Sequence, residues 1–235
     1  MPMRAEPTPV TLIVPYYESA EFFAHQLAVW SSYLQSLAQH LSIIVVDDGS
    51  PHPAVMPVTS LNLRLFRIEV DVPWNWLAAR NIGAHHAADG WLLLTDMDHV
   101  VPEQTLLAVI YGARDPEVAY GFSRVEHTGE PIGPHSASFL LTRDLFWRIG
   151  GYDERLSGVY GTDGSYRKRL MRTTPVQILR EVLVRYEYVS DASVTQYERK
   201  TPSMRAARRD RFAQVSSDQP RTLSFPYHEC GVSGS

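Results

Sequence analysis

Short apolar runs separated by polar clusters fill the first hundred residues. Val10–Val14 is continuous, apolar and partly β-branched, which predicts a buried strand ending at Pro15. Behind it Phe23, Leu27, Trp30, Leu34 and Leu37 recur every three or four residues, the spacing of one helix face, with Ser19 placed to cap that helix. Leu41–Val46 is a second buried run, closed by Asp47-Asp48-Gly49-Ser50-Pro51. Leu61–Ile68 alternates as a strand does, Asn75–Ala88 is helical in composition, and Trp91–Leu94 is another buried strand. Short buried strands alternating with helices predict an α/β chain: a Rossmann-like, mostly parallel sheet covered by helices on both faces. Open sheets of this kind bind ligands beyond the carboxyl ends of their strands. Three predicted strand ends carry polar clusters there: Tyr16-Tyr17-Glu18, Asp47-Asp48, and Asp96-Met97-Asp98-His99.

The second half is less regular. Glu117–Val125 and Ser136–Leu141 read as strands, and Arg143–Arg148 as a short helix stopped by Gly150-Gly151. Asp163–Met171 reads as a helix with Arg167, Lys168, Arg169 and Arg172 on its solvated side, and Val176–Tyr188 as one or two further strands. After Tyr197 the composition shifts: Arg199, Lys200, Arg205, Arg208, Arg209 and Arg211 gather among Pro202, Pro220 and Pro226. The expected organisation is one domain over residues 8–197 and an Arg- and Pro-containing appendage over 198–235, which could fold as a flap over the site.

Composition narrows the function classes. With 44% apolar and 11% aromatic residues the chain has enough core-forming surface to exclude disorder. Twenty-two Lys+Arg against 26 Asp+Glu leave a net charge of −4, so no global basic field points to nucleic acid. All the cations except Lys168 and Lys200 are Arg, whose forked donors suit phosphates and carboxylates. The single cysteine, Cys230, excludes an internal disulfide and a cysteine-based zinc site. No apolar run approaches the ~18 residues of a membrane span, and the run behind Met1–Pro9 stops too early for a leader, so the expected location is cytoplasmic.

Asp96 and Asp98 follow a buried strand one residue apart, so both can approach a single divalent cation; hard oxygen ligands suit Mn²⁺ or Mg²⁺ bound to a diphosphate. A solvated turn has the same sequence. Asp47-Asp48-Gly49-Ser50 reads equally as an ordinary turn or as a carboxylate offered to a base or ribose. Trp74 and Trp76 could stack on a sugar or sit in the core.

In this order these pieces resemble glycosyltransferase family 2, inverting enzymes of GT-A fold, over about Thr11–Leu170. Pro15-Tyr16-Tyr17 is similar to the family's strand end whose aromatic packs on the nucleotide base, a role the resemblance gives to Tyr17; Glu18 stands where the family has Asn. Val45-Val46-Asp47-Asp48-Gly49-Ser50 resembles the base-binding strand end, with Asp48 meeting the base. Ala79-Arg80-Asn81-Ile82-Gly83 resembles the segment near the donor phosphates, which implies a nucleotide contact for Arg80. Asp96-Met97-Asp98 matches the metal motif, with Asp96 also nucleotide-binding. Gly150-Gly151-Tyr152-Asp153-Glu154 and Gly161-Thr162-Asp163 resemble the acceptor-side run, so Asp163 inherits the catalytic base, with Thr162 in place of the usual Glu.

The resemblance implies transfer of a sugar from a nucleoside-diphosphate donor, UDP-linked by family habit, to a carbohydrate or other hydroxyl acceptor with a divalent cation. The family's third metal ligand is a histidine downstream of the base, which here is His228; His99 beside the motif competes with it, and a site without a third protein ligand is the other possibility. Two rival readings accompany this one. A module of the same fold could bind nucleotide sugars without catalysis, and Leu94–Val100 also fits the Asp-x-Asp signature of haloacid-dehalogenase phosphatases, although no acidic pair follows Lys168.

Overall fold

A computed structural model describes residues 6–186, 202–215 and 219–231. A ten-stranded sheet forms the centre of the molecule, in the order β10-β3-β2-β1-β4-β8-β6-β9-β5, with β7 beside β6. The first four strands are β1 (Val10–Tyr16), β2 (Leu41–Asp47), β3 (Leu63–Ile68) and β4 (Trp91–Leu94). All pair in parallel: β2 and β4 flank β1, and β3 extends β2. Residues at alternate positions of β1 enter opposite cores. Val10, Leu12 and Val14 face one side, where α1 (Ala20–Ser32) and α4 (Glu103–Tyr111) cover them. Ile13 faces the other, with α3 (Trp76–His86), α5 (Arg143–Arg148) and α6 (Asp163–Thr173). Burial on both faces is why these strands read as unbroken apolar runs. The helix predicted from Ser19 to Leu37 is interrupted: extended backbone at Tyr33 separates α1 from α2 (Gln35–Ala38), and the Ser19 hydroxyl donates to the Tyr17 carbonyl at 2.7 Å instead of capping α1.

Strands paired in both directions complete the sheet. β8 (Phe139–Thr142) joins β4 to β6 (Ala119–Glu126), β9 (Val176–Arg185) runs parallel to β6, and the two-residue strands β5 (His99–Val100) and β7 (Pro131–Ile132) pair with β9 and β6. The β6–β9 register slips between Phe122 and Ser123, where β9 carries two extra residues, Arg180 and Glu181, just before the register of Arg124.

The 197/198 boundary of the expected appendage lies outside the described residues. Beyond it, α7 (Pro202–Gln214) and β10 (Tyr227–Glu229) are described, and β10 pairs antiparallel with β3 at the sheet edge. Leu223, Phe225 and Tyr227 pack on the same core as α3, and the Glu154 carboxylate accepts from the Leu223 and Ser224 amides at 2.7 and 2.6 Å. This stretch of the C-terminal segment is therefore part of the sheet and its core. Among the described residues no helix is long and apolar enough to cross a membrane.

Because β1 has parallel neighbours on both sides while the connections leave in opposite directions, a crevice opens above the carboxyl ends of β1 and β4. α3 is pressed onto β1 there. A Cβ at Gly83 would fall 2.4 Å from the Ile13 side chain, so only glycine allows the approach that brings Arg80, one turn earlier, under the end of β4.

Candidate active site

The crevice is a cavity of about 480 Å³ lined by Tyr17, Asp48, Asp96, Asp98, His135 and Asp163, among others. It has three functional ends.

At the end of β2 the two adjacent aspartates divide the work that their sequence left open. Asp47 builds the turn: its carboxylate accepts from the Ser50 amide (2.8 Å), the Ala54 amide (2.9 Å) and Arg67 (2.8 Å). Gly49, at φ 95°, makes the turn possible, since a Cβ there would meet the Val70 carbonyl. Asp48 faces the cavity, is 4% exposed, and has a buried Oδ1 without a hydrogen-bond partner. Burial raises its pKa well above the ordinary carboxylate value, and repulsion from Asp47 and Asp71 adds to the rise. An acceptor held ready without a donor suits an incoming N–H. Tyr17 lies beside it, its hydroxyl donating to Asp71 Oδ1 at 3.2 Å. Glu18 takes a φ of 47° and holds His52 through its backbone amide and Nδ1 at 2.8 and 2.9 Å.

At the end of β4 the electrostatics are opposite. Arg80 is fully buried and donates to Asp96 Oδ1 at 2.5 Å, to the Tyr152 hydroxyl at 2.9 Å and to the Ala137 carbonyl. Its place is beneath Asp96, outside the cavity wall: Nη1 and Nη2 are taken by Tyr152, Ala137 and Asp96, Nε is buried without a partner, and Arg80 meets the cavity through Asp96. Burial works against the Asp96 carboxylate, yet Arg80, His135 and His99 outweigh it and hold its pKa down at about 2.

With Oδ1 tied to Arg80, Asp96 Oδ2 lies 3.4 Å from His135 Nε2. His135 stacks on His99 at 4.8 Å, and the ligand atoms of Asp96, His99 and His135 all lie within 4.8 Å of one another. Burial lowers the His135 pKa, with His99 and Arg80 adding to the effect against the pull of Asp96; this favours the neutral, ligating imidazole. Both nitrogens of His99 are engaged: Nδ1 pairs with Asp98 Oδ1 at 2.6 Å, and Nε2 accepts from Arg124 at 2.9 Å. A carboxylate oxygen converging with imidazole nitrogen on one point fits a divalent cation, and Asp98 stands behind His99 as its hydrogen-bond partner.

His228 is not brought to this cluster. It lies on β10 at the opposite edge of the sheet, half exposed, with Nδ1 3.3 Å from Glu69. The tail returns to pair with β3, and that pairing carries the histidine away from β4. The histidine that the structure places beside Asp96 is His135. No periodic or motif signal marks it: it lies in the loop Gly133-Pro134-His135-Ser136 ahead of β8.

The third end is the start of α6. Asp163, its first residue, lines the cavity, and Oδ2 accepts from the Ser136 hydroxyl at 2.6 Å. The neighbouring Thr162 hydroxyl is buried without a partner. Asn81 fastens this side to α3, donating to the Tyr152 carbonyl and Glu154, both at 2.8 Å, and accepting from the Tyr152 amide. Tyr152 and Tyr166 stack at 4.1 Å below it. The Gly150–Glu154 run is therefore the frame that joins α3, α6 and the C-terminal segment, and its side chains do not line the cavity.

Trp74 and Tyr160 complete the wall near Asp163, their ring centroids 4.8 Å apart. Trp76 also lines the cavity, under which the Arg80 guanidinium sits 4.8 Å from its ring.

Comparisons with known proteins bear on the family and the fold. The family model described as glycosyl transferase family 2 matches residues 11–175. No curated protein matches the chain. Among solved structures it is similar to S. aureus TarS 1-349 in complex with UDP-GlcNAc (15% identity, TM-score 0.64), over 80% of this chain and 61% of that one. It is similar to GalNAc-T7 with UDP, GalNAc and Mn²⁺ (13% identity, TM-score 0.64), over 86% of this chain and 48% of that one. A third is the mannosyltransferase PcManGT from Pyrobaculum calidifontis in complex with GDP-Man and Mn²⁺ (19% identity, TM-score 0.55), over 91% and 72%. The chain thus spans about three fifths of the TarS structure and half of GalNAc-T7, and at these identities the shared feature is the fold.

Proposed function

The chain belongs to glycosyl transferase family 2, and from that premise we propose that it transfers a sugar from a nucleoside-diphosphate donor to an acceptor hydroxyl, inverting the anomeric centre. The observation that carries the reading is the cavity's division: an unpartnered buried acceptor at Asp48, an anionic Asp96 beside His135, and Asp163 at the third end.

Asp48 and Tyr17 would receive the nucleobase, Tyr17 by packing and Asp48 by accepting a base N–H. Uracil offers such an N–H, as do guanine, adenine and cytosine, so the choice of UDP as donor nucleotide rests on family habit alone. Asp96 and His135 would hold Mn²⁺ or Mg²⁺, with imidazole nitrogen favouring Mn²⁺. The cation would supply Lewis-acid stabilisation to the charge that develops on the departing diphosphate. Arg80 fixes Asp96 in rotation, so that Oδ2 is the oxygen presented.

Asp163 would take the proton of the attacking hydroxyl. Ser136 donates to Oδ2 and so leaves Oδ1 as the accepting oxygen, pre-oriented before substrate arrives. The acceptor is a carbohydrate or another hydroxyl compound. A panel of nucleotide sugars with Mn²⁺, scored by thermal shift and by sugar release, tests the reading: one donor should stabilise the protein and be slowly hydrolysed. Stabilisation without any hydrolysis or transfer would favour a binding module, the reading that Thr162 and its unpartnered hydroxyl support.

A further inference from the structure

Trp74 and Tyr160 form a stretch of cavity wall that the base, cation and proton-transfer roles leave unused. Both rings are only partly buried, and their planes meet at 53°. They stand on two loops clamped to each other. The Gly158 amide donates to the Pro73 carbonyl at 2.8 Å, and the Ser157 hydroxyl donates to Asn75 Oδ1 at 2.6 Å, with Asn75 fully buried. Trp74 itself has a φ of 57°, a region that bulky side chains avoid. Such backbone persists only where its surroundings over-determine it, and it concentrates at ligand clamps. An indole needed only for burial has no reason to be carried there. Here the strained residue presents an aromatic surface at the cavity, next to a second ring three residues before Asp163.

We propose that Trp74 and Tyr160 are an aromatic subsite for a pyranose ring of the acceptor, seating it so that one of its hydroxyls reaches Asp163. Pyranoses carry C–H faces that pack on aromatic faces, whereas open-chain polyols do not present a flat ring. The acceptor class is then a carbohydrate, not a protein side chain or a simple alcohol. This inference rests on the transferase reading of the cavity.

Saturation-transfer NMR on the full chain tests it, with diamagnetic Mg²⁺ and UDP or GDP present, against maltotriose, cellotriose and N,N′,N″-triacetylchitotriose, and against sorbitol. At least one trisaccharide should give a saturable signal and sorbitol none. Trp74→Gly should weaken that binding by about 10-fold, the scale of one lost aromatic contact, while Trp74→Phe stays within about 3-fold. Glycine is at ease at this φ, which offsets part of the lost indole packing; nucleotide affinity should be unchanged, and that separates a lost subsite from a lost fold. Absence of a saturable signal from all three trisaccharides overturns the subsite, as does undiminished binding to Trp74→Gly. If Trp74→Gly instead abolishes the affinity difference between a UDP-sugar and UDP, the rings stack on the donor sugar and the acceptor assignment is overturned. Failure of both UDP and GDP to bind with Mn²⁺ would overturn the transferase reading, and this inference with it.

Discussion

Asp48 and Asp96 close the two parallel strands that flank β1, line one cavity, and are held in opposite states. Asp48 is buried with other carboxylates for company and no donor, so its proton is retained well above the usual range. Asp96 touches a buried guanidinium and lies beside His135, with His99 close by, so it stays ionised down to about pH 2. The contrast shows that the surrounding groups, more than the residue type, decide what a strand-end carboxylate does. One end of the cavity waits for a neutral donor and the other offers permanent negative charge to a cation.

Four experiments break or sharpen that comparison. The largest effect is expected from Asp163→Asn, which leaves both carboxylates intact. Transfer should fall about 10²–10⁴-fold while donor affinity is retained, as read by single-turnover kinetics and calorimetry. Asp96→Ala comes next, because it strands Arg80 in the interior without a counter-charge. The Tyr152 hydroxyl and Ala137 carbonyl still accept from it, so a destabilisation of about 3 kcal/mol is expected in urea, together with loss of Mn²⁺ binding by EPR.

Asp48→Asn should act in the other direction on stability. A raised pKa means that the folded state binds the proton more tightly, so the contribution of Asp48 falls as pH rises from about 3.9 through its elevated value. The variant should therefore be the more stable protein at pH 8, with the gap closing on acidification, and donor affinity should drop about 10-fold as one acceptor oxygen gives way to an N–H₂ donor. The smallest effect concerns His135. Its folded pKa lies below the unfolded ~6.5, so its stabilising contribution is complete above that pH and is lost as pH falls through the lowered value. Mn²⁺ affinity should weaken over the same window, and His135→Gln should flatten that dependence.

The parallel half of the sheet was legible because its strands are buried on both faces and its ligands sit at strand ends. Tyr17, Asp48, Asp96 and Asp98 follow from apolar runs that stop at polar clusters. The antiparallel half gave less. His135, Ser136 and Arg124 reach the cavity through a loop and a strand irregularity, neither of which has a periodic signature. The place of Arg80 beneath Asp96 was not legible, because local sequence does not reveal that a charged helix residue is fully buried; its burial depends on Gly83 and on Tyr152, some 70 positions away. His228 was misplaced for a related reason: the edge strand that carries it is three residues long, among prolines, with its partner β3 far back in the chain.

A crystal soaked with Mn²⁺ and UDP, with data collected at the manganese absorption edge, tests the central claim most directly. One anomalous peak is expected between the Asp96 carboxylate and the His135 imidazole, with Asp163 facing it across the cavity. A peak at His228, or none beside Asp96, would contradict the account.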